Sequence, residues 1–269
     1  MNHPISSRPT TLPDLCILCG EADAVSKEHV YAAWIGRIHK FGAIKAHYQK
    51  TSATGTTKTT EDNFLDKTLP VLCDACNTRW GSDLQDAASA ILKPLIKGGE
   101  WPALSRKKLH AIAMWATSFA MVREYMYPEL VTFEQEKRTR FRKEETIPEG
   151  INVWMGAYDG TRDLLTWHRA MFDGFDTGVS QPNTALFVFT IYKVIFVVFS
   201  TSSVELASPY STRNYMLGRC AHAHNLRRVW PNEGIFPAGR PLPVESVENL
   251  MPELYDQLAG DAKWLLDRG

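Results

Sequence analysis

CDACNTRWGSDL, residues Cys73 to Leu84, decides how the chain is read. It holds a Cys-x-x-Cys pair, an asparagine directly after the second cysteine, and a Trp80-Gly81 step one turn later. A second pair, Cys16 and Cys19, lies in CILCG upstream. Two such pairs supply the four thiolates of a closed tetrahedral zinc site, and in a reducing compartment they favour a metal over disulfides. With every position taken by sulfur, that zinc has no place for substrate, so its expected role is structural. The fifth cysteine, Cys220, stands apart and reads as a buried apolar residue.

Between the pairs lies SKEHVYAAW, Ser26 to Trp34. His29 follows Glu28 and falls where a zinc-pinned hairpin would present it. Histidine can act as a general base on water near neutral pH. Glu28 and Asn77 could both offer oxygen to a hard divalent ion. The alternative readings are a surface histidine of a plain zinc ribbon, a hairpin charge at Glu28 that touches no metal, and a helix cap at Asn77.

The ordered set CILCG, SKEHV and LCDACNTRWG resembles the zinc-stapled branch of the HNH endonucleases, whose active site is a ββα-metal fold. Trp34 and Trp80-Gly81 are similar to a bacterial subgroup carrying EHV-x3-W and C-x2-C-N-x2-W-G motifs. The likeness covers about the first third of the chain. It implies that His29 is the general base, that Glu28 stands for the neighbouring metal-binding acid, and that Asn77 holds the same ion from the start of the helix. It further implies catalytic Mg²⁺ or Mn²⁺ beside the structural Zn²⁺. The family's middle residue, which orients the base, falls on Thr68, with Asn63 near but out of register. The gap from His29 to Asn77 is also long for the family.

An insertion fills that gap, basic over residues 37–66. From Val30 to Thr60 there is no Asp or Glu, while Arg37, Lys40, Lys45, Lys50 and Lys58 lie there. It reads either as a phosphate-contacting segment or as a lysine-bearing flexible loop. A second acid-free run, Ala207 to Asn232, carries Arg213, Arg219, His222, His224, Arg227 and Arg228. His222-x-His224 would share one side of a strand only, with no partner ligands in view.

Around this centre the organisation follows from composition. Apolar residues are 44% and charged ones 22%, enough to build one large core or two modest ones over 269 residues. The formal net charge is +0, so any preference for nucleic acid must be local. Residues 1–14 read as a loose N-terminal arm, 15–97 as the HNH domain, and 98–269 as a C-terminal domain for recognition, a partner or a dimer interface. KGGEWP (Lys97 to Pro102) marks the boundary. Ser105 caps an expected long helix through Tyr127, with Leu109, Ile112, Ala116, Phe119 and Met126 on one face. EQEKRTRFRKEE, Glu134 to Glu145, reads as a solvated helix with i,i+4 ion pairs. INVWMGAY, LLTWHRAMF and the two runs in TALFVFTIYKVIFVVFS read as strands of a small antiparallel sheet, and Val244 to Leu266 as a helix. The fold class is α+β.

No apolar run has the length of a membrane span, and the N-terminus lacks a signal-peptide core, so the expected location is the cytoplasm. The expected function is a metal-dependent endonuclease hydrolysing phosphodiester bonds, in DNA before RNA, with restriction or phage (antiviral) defence as the setting the resemblance suggests. One centre per chain nicks one strand, so a double-strand break needs a homodimer or two encounters. The rival class is a non-catalytic zinc-ribbon protein that binds nucleic acid.

Overall fold

The computed structural model describes residues 12–38, 45–51, 57–160, 164–171, 173, 182–208, 210–231, 236–239, 243–244 and 247–259, with the backbone path alone at 45–51, 57–64 and 259. Most of the arm expected at 1–14 therefore lies outside the described residues.

Two sheets organise the chain. The smaller pairs β1 (Ser26–His29) antiparallel with β4 (Thr68–Leu72). Between them run a short helix α1 (Ala33–Gly36) and a ribbon of β2 (Lys45–Thr51) and β3 (Thr57–Asn63). A π-type turn over Ala75–Gly81 leads into α2 (Ser82–Ile96).

The chain continues through α3 (Arg106–Arg123), α4 (Gln135–Glu144), β5 (Ile151–Ala157), β6 (Leu164–Met171), β7 (Thr184–Ile191) and β8 (Val194–Thr201). It ends with α5 (Val204–Ala207), α6 (Thr212–Ala223), β9 (Arg227–Trp230) and α7 (Val247–Ala259). The class is α+β, as expected, but the large sheet is neither small nor purely antiparallel. It has seven strands in the order β3-β2-β6-β7-β8-β5-β9, and β2 meets β6 in parallel.

Period-2 alternation shows how the central strands β7 and β8 are buried on both faces. Phe187, Phe189, Val194, Phe196 and Val198 face one core together with α3. Leu186, Val188, Ile195, Val197 and Phe199 face a second core with Leu217 of α6 and Leu250, Leu254 and Leu258 of α7. The run from Ala185 to Ser200 is thus the paired hairpin the sequence predicts, turning at Tyr192, whose φ is 50°.

Ser105 does cap α3, its hydroxyl accepting from the Lys108 amide at 3.4 Å. The helix ends at Arg123 and tightens into a 3₁₀ turn over Glu124–Met126, short of the expected Tyr127. Beyond its exposed first turn it is buried nearly all round: Ile112 to Thr117 and Phe119 to Arg123 are all buried. A helix apolar all round belongs at the centre of a fold. Here α3 lies between the sheet and the N-terminal third. Trp115 packs on Trp34 at 6.0 Å and on Phe196 at 5.6 Å, and Phe119 on Tyr31 at 5.3 Å and Phe189 at 4.1 Å.

That packing runs across the Lys97–Pro102 breaker. KGGEWP breaks the chain as expected, with Gly98 at φ 79°. No separation of cores accompanies it. Cys16, Trp34 and Trp80 share one apolar cluster with Trp115, Phe141 and Phe189. The basic insertion joins the large sheet through β2, and the Tyr31 hydroxyl donates to the Leu165 carbonyl of β6 at 3.0 Å.

The charged segment at 134–145 is only partly solvated. Arg140 and Glu144 form the expected i,i+4 pair at 3.4 Å on the surface. Arg138 is fully buried instead. Its guanidinium bonds the equally buried Glu124, donates to the Phe133 and Met121 carbonyls at 3.1 and 3.3 Å, and stacks on Tyr125. Burial pushes the Glu124 carboxyl up to about 7, while Arg138 and the Thr132 and Phe133 amides work against that rise.

Candidate metal centre and adjoining cleft

The four cysteines meet. Cys16, Cys19, Cys73 and Cys76 offer sulfur atoms all within 4.8 Å of one another, and the Cys19 and Cys73 sulfurs are 3.8 Å apart. The local backbone makes this possible. The Cys16 amide donates to the Ala22 carbonyl at 2.7 Å and the Gly20 amide to the Cys16 carbonyl at 2.8 Å, which curls the first knuckle. Gly20 takes φ 72°, where a side chain would be strained. The Ile17 amide then donates to the Val71 carbonyl at 2.9 Å, zipping the knuckle to β4 just ahead of Cys73. A hydrogen bond from Cys76 is the main force holding the Cys16 thiol down, to about 4, against burial. Four convergent sulfurs, one already favouring thiolate, fit a zinc-class ion.

The residues after the second pair have structural reasons of their own. In the π-type turn the Cys76 carbonyl runs so close to Gly81 that a Cβ there would lie 2.8 Å from it. Only glycine leaves that room. Trp80 is buried edge-on against Phe141 of α4 at 5.6 Å, with the Arg142 guanidinium 5.0 Å over its ring. Arg142 also favours the Cys76 thiolate, although the Cys16 thiolate and burial push that thiol up more strongly. Gln135, opening α4, donates to the Ile17 carbonyl at 3.1 Å, and Lys143 pairs with Glu21 at 2.8 Å. Helix α4 therefore buttresses the cysteine knuckle, which the sequence alone did not reveal.

Beside this staple, Glu28, His29, Trp80, Gly81, Leu84 and Gln85 line a small cleft floored by Trp115, Phe119 and Val122 of α3. Glu28 and His29 are adjacent in β1, and both line it. Gln85, which the sequence reading missed, donates its Nε2 to Glu28 Oε1 at 3.0 Å. Gln85 lies eight residues past Asn77, about two helical turns on. Burial pushes the Glu28 carboxyl up to about 7, and the Gln85 bond offsets this only in part. Among the described residues no positive side chain contributes to that balance. A carboxylate in this setting is under-compensated, and a hard cation would relieve it. A single carboxylate is a sparse ligand set, but Mg²⁺ is commonly held by one or two carboxylates with water and substrate phosphate completing its shell.

Register places Thr68 directly opposite His29 across the β1–β4 ladder, whereas Asn63 pairs with Lys45 in the ribbon. Of the two candidates for the middle position, Thr68 is thus the one beside His29. Asn77 follows Cys76 in the π-type turn. Its Nδ2 donates to Ser26 Oγ at 2.8 Å and to the Lys27 carbonyl at 3.4 Å, fastening β1 to the π-type turn. It is not among the groups lining the Glu28–His29 cleft.

Of the basic insertion, Arg37 is exposed just after α1, and Lys40 lies outside the described residues. Lys45 and Lys50 belong to β2 and Lys58 to β3, with Lys50 and Lys58 opposite each other in register. The second acid-free run is used internally. Arg213 pairs with Asp173 at 2.6 Å and Glu205 at 3.1 Å, and Arg228 lies 5.5 Å over Trp154. His222-x-His224 falls at the end of helix α6 rather than in a strand, so the two rings diverge.

Comparison with protein-family models, with curated proteins and with solved structures finds no match to this chain. Among the described residues, no helix is long and apolar enough to cross a membrane.

Proposed function

We propose that the chain is a metal-dependent endonuclease of the HNH type, hydrolysing phosphodiester bonds in DNA. The observation that carries the reading is the cleft itself: a four-cysteine staple, a two-stranded β unit and a following helix bring Glu28 and His29 side by side, with Thr68 opposite the histidine. His29 takes a proton from the attacking water. Glu28, oriented by Gln85, holds a Mg²⁺ or Mn²⁺ ion, which when bound supplies charge stabilisation to the scissile phosphate and the leaving oxygen. Asn77 has two roles open to it: swinging from Ser26 to join Glu28, or keeping β1 in place. The basic insertion, with Arg37 exposed just after α1, supplies positive charge for the incoming backbone. A restriction or antiviral role and a dimeric enzyme are consistent extensions of this reading.

The bonding of Asn77 to Ser26 is the specific observation that favours the rival, a zinc-stapled protein that binds nucleic acid without cutting it. Parallel digests of supercoiled plasmid, single-stranded DNA and duplex RNA with Mg²⁺ or Mn²⁺, each matched to a binding measurement, separate the two. Cleavage of plasmid supports the enzyme; binding with every substrate left intact supports the rival. Cleavage of RNA alone would move the substrate assignment while leaving the chemistry standing.

A further inference from the structure

The two helices on the far face of the large sheet bring together a second set of metal-ligating groups. Cys220 lies in the last turn of α6 and His224 caps that helix, one turn apart, with the His224 amide donating to the Cys220 carbonyl at 3.1 Å. Glu253 projects from α7, and its Oε2 is 2.7 Å from His224 Nε2. The Cys220 sulfur, a His224 ring nitrogen and a Glu253 carboxylate oxygen all lie within 4.8 Å of one another.

The scaffold beneath holds this arrangement firmly. Leu217 and Ala221 of α6 and Leu250, Leu254 and Leu258 of α7 are all buried in one cluster. Arg213 ties the helix ends together through the Leu258 carbonyl at 3.2 Å. Cys220 and His224 are half-buried and Glu253 is exposed, so the cluster is walled on one side and open to solvent on the other. A thiolate, an imidazole and a carboxylate suit a borderline ion such as Zn²⁺ better than Mg²⁺ or Ca²⁺, which prefer all-oxygen shells. Three protein ligands leave the fourth tetrahedral position to water or an outside ligand.

We propose that Cys220, His224 and Glu253 form a second, solvent-open zinc-class site that clamps α7 onto α6. It is distinct from the four-cysteine staple, lies across the large sheet from the Glu28–His29 cleft, and stands whether or not the nuclease reading does. Ion binding there replaces a simple His–Glu pair with three bonds to one centre, so it fastens the last described helix.

The test counts metal in the full chain. Wild type, Cys220→Ser and Glu253→Gln are loaded with Zn²⁺, freed of excess by gel filtration, and analysed for zinc per chain, then titrated with a chromophoric chelator. Glu253 is exposed, so Glu253→Gln folds whatever the fate of the cysteine variant. Wild type should carry two equivalents, the second released first. Both variants should keep the first equivalent and bind the second at least about tenfold more weakly, the least expected for loss of a direct ligand. With Co²⁺, the second equivalent should add thiolate charge-transfer absorption in wild type that Cys220→Ser lacks. One equivalent in wild type, or a second whose affinity is unchanged in Glu253→Gln, overturns the assignment.

Discussion

Replacing Glu28 by Gln should stabilise the protein at alkaline pH and do nothing at acid pH, provided zinc is retained and other divalent ions are absent. Burial lifts the Glu28 carboxyl from 4.5 to about 7. Below the lower value both folded and unfolded chains hold the proton. Between the two values the folded chain holds more protons than the unfolded one, so stability falls as pH rises. Above about 7 the full penalty is present. At about 1.4 kcal/mol per pKa unit it reaches at most about 3 kcal/mol, less whatever solvent at the cleft mouth screens. Glutamine keeps the shape and can still accept from Gln85, so the variant escapes the penalty. Urea unfolding from pH 4 to pH 9 measures this: the two curves should coincide at the acid end and diverge through neutrality. Adding Mg²⁺ or Mn²⁺ at ten times its dissociation constant should restore about 1.4 kcal/mol to wild type and nothing to Glu28→Gln. Parallel curves across the whole range, or equal stabilisation of both proteins by the ion, would refute the reasoning about this carboxylate.

Three further outcomes follow from the packing. Gly81→Ala sets a methyl 2.8 Å from the Cys76 carbonyl and should cost about 1–3 kcal/mol in denaturant unfolding, with faster zinc loss to a chelator. Arg138→Met strands a buried carboxyl at Glu124 and should cost about 3–5 kcal/mol, much of which the double variant with Glu124→Gln should recover. Asn77→Ala breaks the tie to Ser26 and should cost about 0.5–1.5 kcal/mol while keeping zinc. Plasmid cleavage by that variant decides its role: loss makes Asn77 part of the active site, and retention makes it a strand fastener only.

The parts legible in the sequence were those set by short-range chemistry. Two Cys-x-x-Cys pairs fix a four-sulfur cluster wherever the chain between them goes. Ser105 and the hairpin at Tyr192 are likewise local signals. What escaped depends on partners distant in sequence. Arg138 reads as one more surface charge until Glu124 meets it, and β2 reads as loop until β6 offers an edge. Glu253 meets His224 only once α7 packs on α6, so the sequence around His222 and His224 shows no partner ligand. Asn77 was the most instructive residue. Its place after Cys76 was legible, but the π-type turn that carries its amide to Ser26 was not.

The central claim is that His29 acts as a base beside a metal-binding Glu28. Nicking of supercoiled plasmid under single-turnover conditions, by zinc-replete wild type and His29→Ala at equal DNA occupancy, tests it most directly. The account predicts Mg²⁺- or Mn²⁺-dependent nicking by wild type and a loss of about 10²–10⁴-fold in His29→Ala, with binding unchanged. Equal rates in the two proteins, or no nicking by wild type with either ion, would contradict it.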